Sequence, residues 1–113
     1  MAEVNRGEIW QFSFPRPDRR RPVLILTRQE VIGHLHSVTV APITTTIRGI
    51  PTEVLVGAES GLKTTSAINL DNLATVPKAG LRVFVGTVSP VVLSGVREAL
   101  LFAFGFDDPD EKN

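Results

Sequence analysis

Turn-forming residues divide the sequence into short segments, and this spacing limits the chain to a fold built from short strands. The 113 residues include 9 glycines and 8 prolines, and many segments between them are rich in β-branched and aromatic residues. Residues 8–14 alternate between apolar and polar, whereas residues 22–27 form a continuous apolar run typical of a strand buried on both faces. Further strands are expected at residues 37–41, 52–56, 66–76 and 81–88. The pattern predicts a mainly β fold, either a small β-barrel or a curled antiparallel sheet.

One helix is predicted near the C-terminus. Ser89 is a favourable N-cap, Pro90 suits the first helical position, and Gly105 ends the helix. The apolar stripe expected to face the core consists of Leu93, Val96, Leu100 and Phe104.

Three further apolar residues lie outside this stripe, where a one-faced helix would be polar. They are Val91, Leu101 and Phe102. We interpret them as a subunit interface, and the alternative is scattered surface hydrophobic residues.

Composition excludes several classes of protein. The chain has no cysteine, which excludes disulfides, thiolate catalysis and cysteine-ligated metals. No apolar run approaches the ~20 residues needed to cross a bilayer, and no apolar stretch follows the N-terminal charges as in a signal peptide. We therefore expect a cytoplasmic protein without membrane association. One domain is expected over residues 1–106, followed by an acidic, disordered tail at 107–113.

Arginine is concentrated immediately before the apolar run. Arg16, Arg19, Arg20 and Arg21 lie within six residues, although the formal net charge of the whole chain is zero. Because a guanidinium group binds phosphate through two parallel hydrogen bonds, this cluster indicates a segment that binds phosphate or nucleic acid. A solvated loop with incidental charge is the alternative. Arg21 is the strongest candidate because it directly precedes a rigid strand.

Other residues able to carry chemistry are few. Thr44, Thr45 and Thr46 follow the strand predicted at 37–41, and their hydroxyl groups are suited to donate to a phosphodiester. His34 and His36 would share one face of a strand, but two histidines without a nearby acid are a weak basis for a metal site. The glycine-rich phosphate-loop motifs are missing, as is a nucleophile elbow. We therefore expect no metal and no cofactor.

Three short motifs follow one another along the first half of the chain. They are Arg6-Gly-Glu-Ile-Trp10, Arg20-Arg-Pro-Val-Leu-Ile-Leu26 and Ala41-Pro-Ile-Thr44. In this order they resemble the MazF/PemK family, the toxin endoribonucleases of type II toxin–antitoxin systems. The resemblance continues at residues 61–62, 71–76 and 85–88 and covers about residues 5–105. It implies a curled SH3-like barrel of the CcdB/Kid/MazF type with a C-terminal α-helix, working as a homodimer.

The resemblance also implies an activity. Members of the family cut single-stranded RNA at short sequence motifs without a metal, and attack by the ribose 2′-OH leaves a 2′,3′-cyclic phosphate and a 5′-OH end. The catalytic Arg and Thr of the family correspond to Arg21 and Thr44. The further residues expected to bind RNA or phosphate are Arg16, Arg19, Arg20, Thr45, Asn69, Asn72 and Thr75. For the two asparagines and Thr75, strand-surface polarity without a binding role is the alternative.

A partner and two alternatives follow from the same comparison. The resemblance implies an antitoxin whose flexible, acidic segment lies across the RNA groove, where the basic residues 16–21 would face it. The Gly-Ser-Glu-Gln-type loop of many members is replaced here by residues 15–20, so no role of that Glu or Gln carries over.

One alternative is a CcdB-like DNA gyrase poison, although such proteins end in Trp-Gly-Ile and the single tryptophan here is Trp10. The other is a catalytically inert barrel that binds an antitoxin or RNA.

Overall fold

The described part of the chain forms seven strands and two α-helices. The computed structural model describes residues 3–15 and 19–108, so Arg16 and the tail from residue 109 onward lie outside the described residues. The elements are β1 Glu8–Ser13, β2 Arg20–Ile25, α1 Gln29–Ile32, β3 Ser37–Thr44, β4 Glu53–Val56, β5 Ser66–Asn69, β6 Ala74–Pro77, β7 Val83–Thr87 and α2 Pro90–Phe104. The mainly β fold with a C-terminal helix is confirmed. The single strand expected at 66–76 is wrong, because a turn at residues 70–73 divides it into β5 and β6.

Pairing along β3 gives the sheet its curl. The strands follow the order β4-β5-β3-β2-β1-β7, and β6 also pairs with β3. On the side away from β2, the first half of β3 pairs with β6 from Ser37↔Pro77 to Val40↔Ala74. The end of β3 pairs instead with β5, through Ile43↔Ile68 and Thr44↔Ala67. One strand therefore serves two neighbours on the same edge, and the turn between those neighbours stands beside the end of β3.

The apolar run of β2 is buried on both faces of the sheet, as its composition predicts. Val23 and Ile25 pack into one core cluster together with Trp10. Leu24 belongs to a second cluster, which α2 covers with Val96 and other side chains. All three β2 residues are completely shielded from solvent. The two cores fix β2 from both sides, so the residue just before this run has a rigid support.

The C-terminal helix begins and ends where its capping residues predict. The Ser89 side chain accepts a hydrogen bond from the Val92 N–H at 3.2 Å, and Gly105 adopts the left-handed conformation with φ 75°. The prediction that Phe104 faces the core is wrong, since its side chain is 55% exposed. The buried residues of the helix are Val96 and Ala99, and Phe104 lies about 140° from Ala99 around the helix axis. Within the described residues, no helix is long and apolar enough to cross a membrane.

Candidate active site

A cavity of about 420 Å³ opens at the junction of β2, β3, β5 and β6. It lies where β3 changes partners, so side chains from four strands and the turn at 70–73 converge there. The residues that line it are Phe14, Arg21, Pro42, Thr44, Asn69, Asn72 and Ala74. The cavity therefore combines a cation, a hydroxyl group, two amides and an aromatic ring.

Arg21 reaches the cavity from a fixed position on β2. It pairs with Phe12 of β1, its side chain is half-buried, and the buried Val23 anchors the strand two residues later. A guanidinium group carries a permanent charge and donor N–H groups in a planar fork. The backbone thus presents a preoriented cation to the cavity, which is what stabilisation of a developing negative charge requires.

Thr44 lies at the end of β3, and its hydroxyl group has a defined orientation. Its Oγ1 accepts a hydrogen bond from the Thr46 N–H at 3.1 Å, and Thr44 pairs with Ala67 of β5. A hydroxyl group has two acceptor lone pairs and one donor hydrogen. With one lone pair engaged by the backbone, the hydrogen remains for an oxygen of a bound ligand.

The turn between β5 and β6 brings two amides to the same cavity. Asn69 ends β5, and its Oδ1 accepts a hydrogen bond from the Asp71 N–H at 2.9 Å. Asn72 follows on the same turn and is exposed. The sequence prediction named both asparagines without placing them together with Arg21, and the cavity brings all three to one site.

Among the described residues that line the cavity, Arg21 is the one ionisable side chain. An arginine stays protonated near neutral pH and is a poor donor or acceptor of protons in a reaction. The arrangement is therefore suited to hold a phosphodiester, align it and stabilise added charge on its oxygens.

Several predicted site residues lie away from the cavity. Arg19 and Arg20 are exposed on the hairpin that β1 and β2 form, where the Phe14 N–H donates to the Arg19 carbonyl at 2.8 Å. Thr45 is exposed beyond the end of β3, and Thr75 is exposed on β6 opposite Thr39. None of these four lines the cavity. Arg19 and Arg20 directly precede the cavity residue Arg21 in the sequence. Thr45 and Thr75 are not part of the group around Arg21.

Phe14 is a cavity residue that the sequence prediction did not name as part of the site. It follows β1, is half-buried, and packs edge-on against Phe12 with ring centroids 4.9 Å apart. Phe14 also packs against the core cluster that contains Trp10, and its place at the end of an alternating strand, next to the arginine cluster, is the sequence signal that points to the site. An aromatic ring beside a phosphate-binding cation is suited to stack against a nucleobase.

The two histidines lie apart from this site. His34 and His36 are exposed and precede β3 rather than forming part of a strand. Residues 3–15 and 19–108 contain no cluster of three His, Asp or Glu side chains placed to hold a metal ion.

Comparison with known proteins gives the same family that the motifs indicate. Residues 5–104 match the family described as PemK-like, MazF-like toxin of type II toxin-antitoxin system. The chain belongs to this family. It is 47% identical over 90 residues to "Endoribonuclease MazF3" of Mycobacterium tuberculosis, which covers 80% of this chain and 87% of that protein.

Solved structures agree with the family assignment. The structure of "Mycobacterium tuberculosis toxin MazF-mt6" is 43% identical, with a TM-score of 0.81 over 87% of this chain and 96% of that chain. A mycobacterial "Endoribonuclease in complex with its cognate antitoxin" is 30% identical, with a TM-score of 0.82 over 91% of this chain and 96% of that chain. The predicted membership of the toxin endoribonucleases, and the curled antiparallel sheet with its C-terminal helix, are thereby confirmed.

Proposed function

We propose that this chain is a toxin that cleaves single-stranded RNA at the cavity beside Arg21, without a metal ion. The observation that carries the proposal is the convergence of Arg21 and Thr44, from the ends of two different strands, on one cavity with amide and aromatic walls. This combination of donors fits a phosphodiester with a base on either side. Membership of the PemK-like, MazF-like toxins supports the same reading.

The proposed reaction is an internal transfer of the phosphodiester. The ribose 2′-oxygen attacks phosphorus and loses its proton, the bond from phosphorus to the 5′-oxygen breaks, and that oxygen takes up a proton. The products are a 2′,3′-cyclic phosphate and a 5′-OH end. Arg21 stabilises the charge that builds on the non-bridging oxygens, and Thr44 donates a hydrogen bond to one of them. Alignment of the 2′-oxygen with the leaving oxygen supplies the rest of the acceleration.

The surroundings of the cavity suit the neighbouring nucleotides. Arg19 and Arg20 extend the positive charge along the hairpin, and Phe14 offers a face for stacking. Binding that depends on several phosphate contacts weakens steeply as salt concentration rises, because counterions released from the RNA compete again. The same basic hairpin would receive the acidic segment of an antitoxin, which pays an ordering cost on binding.

Incubation with a long single-stranded RNA in EDTA tests the function directly. We expect discrete cuts at a short recurring sequence, and end mapping should find 5′-OH termini and 2′,3′-cyclic phosphates. The cuts should persist at the highest EDTA concentration and weaken as salt is raised. RNA that stays intact in every condition would favour the inert barrel or the gyrase poison, which a supercoiling assay with DNA gyrase then separates.

We also propose that the chain works as a homodimer joined along α2. A groove of about 840 Å³ runs beside this helix. Its apolar wall includes Leu101 together with the exposed rings of Phe104 and Phe106. Val91 and Phe102, the other two residues of the predicted interface, do not line this groove. Phe102 lies about 160° from Phe104 around the helix, so substitutions of these two phenylalanines probe different faces of α2.

A pair of substitutions distinguishes these faces. We expect Phe104→Asp to convert the dimer into a monomer in light scattering, because a charge would be buried in the apolar interface. Phe102→Asp serves as the matched control, since its side chain is 50% exposed against 55% for Phe104, and should leave the dimer intact. The opposite outcome would place the interface on the Val91 and Phe102 face.

A further inference from the structure

The turn that carries Asn69 is fixed by contacts outside the cavity. The Thr52 hydroxyl donates to Oδ2 of Asp71 at 2.5 Å, and the Leu70 N–H donates to the Thr52 carbonyl at 2.9 Å. Thr52 is 6% exposed and Leu70 is 1% exposed. These contacts hold Leu70 and Asp71, the two turn residues that follow Asn69, so Asn69 does not depend on a ligand for its position.

The hydrogen bond to the backbone also fixes which way the Asn69 amide points. The Asp71 N–H is a donor, so the atom that faces it must be the amide oxygen. Within residues 3–15 and 19–108, the Nδ2 group of Asn69 donates to no other group. Since Asn69 lines the cavity, the group it offers to a ligand there is a hydrogen-bond donor.

We propose that Asn69 selects, next to the scissile phosphate, a base that carries a carbonyl oxygen at C4 of a pyrimidine or C6 of a purine. Such an oxygen accepts the Nδ2 hydrogen bond, as O4 of uracil or O6 of guanine would. At the corresponding positions cytosine and adenine carry amino groups, which are donors and leave both partners unsatisfied. This inference rests on the proposed function, because the same cavity must hold the phosphodiester of the bound RNA.

Asn69→Asp tests this proposal because it replaces the hydrogen-bond donor with an acceptor and keeps the hydrogen bond that fixes the turn. One carboxylate oxygen still accepts from the Asp71 N–H, and the other replaces the donor with an acceptor. Asn72→Asp is the matched control. It adds the same negative charge to the same cavity but leaves the Asn69 donor in place, so the general cost of the charge is measured separately.

The readout is the ratio of cleavage rates for RNAs that differ only by uracil or cytosine at each nucleotide flanking the cut. We expect the wild-type protein to favour uracil about tenfold at one of these positions, the usual effect of one hydrogen bond made or left unsatisfied. Asn69→Asp should abolish or reverse this ratio. Asn72→Asp should slow both substrates and keep the ratio. An unchanged ratio in Asn69→Asp, or equal rates for uracil and cytosine in the wild type, would overturn the proposal.

A measurement of RNA binding without cleavage tests this inference separately from the proposed function. The same uracil and cytosine sequences, made with a 2′-deoxy nucleotide at the cut, report affinity by fluorescence anisotropy even when a variant does not cleave. If the wild-type protein prefers the uracil oligonucleotide but never cuts RNA, the nuclease function is rejected and base selection by Asn69 is supported. If the protein cuts RNA but binds both oligonucleotides equally, base selection by Asn69 is rejected and the nuclease function is supported.

Discussion

Arg21→Ala should lower the rate of RNA cleavage by about 10²–10³-fold, the usual cost of removing one preorganised donor to a developing oxyanion. Arg21 is the one ionisable side chain among the described residues of the cavity, so no neighbouring cation there replaces it. The loss should appear mainly in kcat, because the charge on the non-bridging oxygens grows as the reaction proceeds. Single-turnover cleavage of a short RNA at saturating enzyme measures this step.

Two control variants sharpen the interpretation. Arg28 is an exposed arginine on the surface, paired with Glu30 at 3.9 Å, and Arg28→Ala should leave the rate unchanged. Arg21→Lys retains the charge but loses the planar fork, so it should recover part of the rate. The thermal unfolding of Arg21→Ala should match that of the wild type, so that a lower rate reports on the chemistry and not on the fold. A rate close to that of the wild type would remove Arg21 from the catalytic machinery.

Gly86→Ala should destabilise the fold by about 3 kcal/mol or more, because two backbone segments meet at this glycine. A Cβ at Gly86 would stand 2.0 Å from the carbonyl oxygen of Ser60. Gly61 makes the reciprocal contact, since its own Cβ would stand 2.2 Å from the Val85 carbonyl oxygen, and its φ is +90°. Both obstacles are backbone atoms, which cannot swing aside as a long side chain does. The contact holds the turn after β4 against β7.

Thermal unfolding measures this effect. For a chain of this size, a loss of about 3 kcal/mol lowers Tm by more than about 10 °C. Gly33→Ala is the matched control, because a Cβ there meets nothing within 4 Å and its φ of −64° is ordinary for alanine. It should be neutral or slightly stabilising. Equal melting of the Gly86 variant and the wild type would show that the two segments separate readily.

Local patterns predicted much of this fold. The capping residues Ser89 and Gly105 define α2 because a helix terminus is satisfied by groups within a few residues of it. The apolar run that contains Val23 and Leu24 indicated a strand buried on both faces, since such a strand has no polar side. The resemblance to the MazF/PemK family was recognised from short stretches of consecutive residues, and comparison with known proteins confirmed it.

The wrong predictions concern features that depend on packing between segments distant in the sequence. The period of α2 placed Phe104 on the apolar stripe, but the sheet covers the arc around Val96 and Ala99 and leaves Phe104 exposed. Phe14 continues the alternation of β1, but the alternation did not show that this side chain, which packs against the core around Trp10, also lines the cavity. Neither outcome is encoded in the periodicity of one segment, because a period gives the relative orientation of residues and not the extent of the surface that covers them.

The sequence by itself determined most of the strands, the C-terminal helix with its caps and the family, and it made Arg21 and Thr44 the candidate catalytic residues, since each of these rests on neighbours along the chain. The tertiary structure alone decided that Asn69 and Asn72 join them at one cavity, whereas Thr45 and Thr75 do not. The physical reason is the divided edge of β3, which pairs with β6 along its first half and with β5 at its end. Strand pairing is a contact between distant segments, and the cavity exists only where those segments meet.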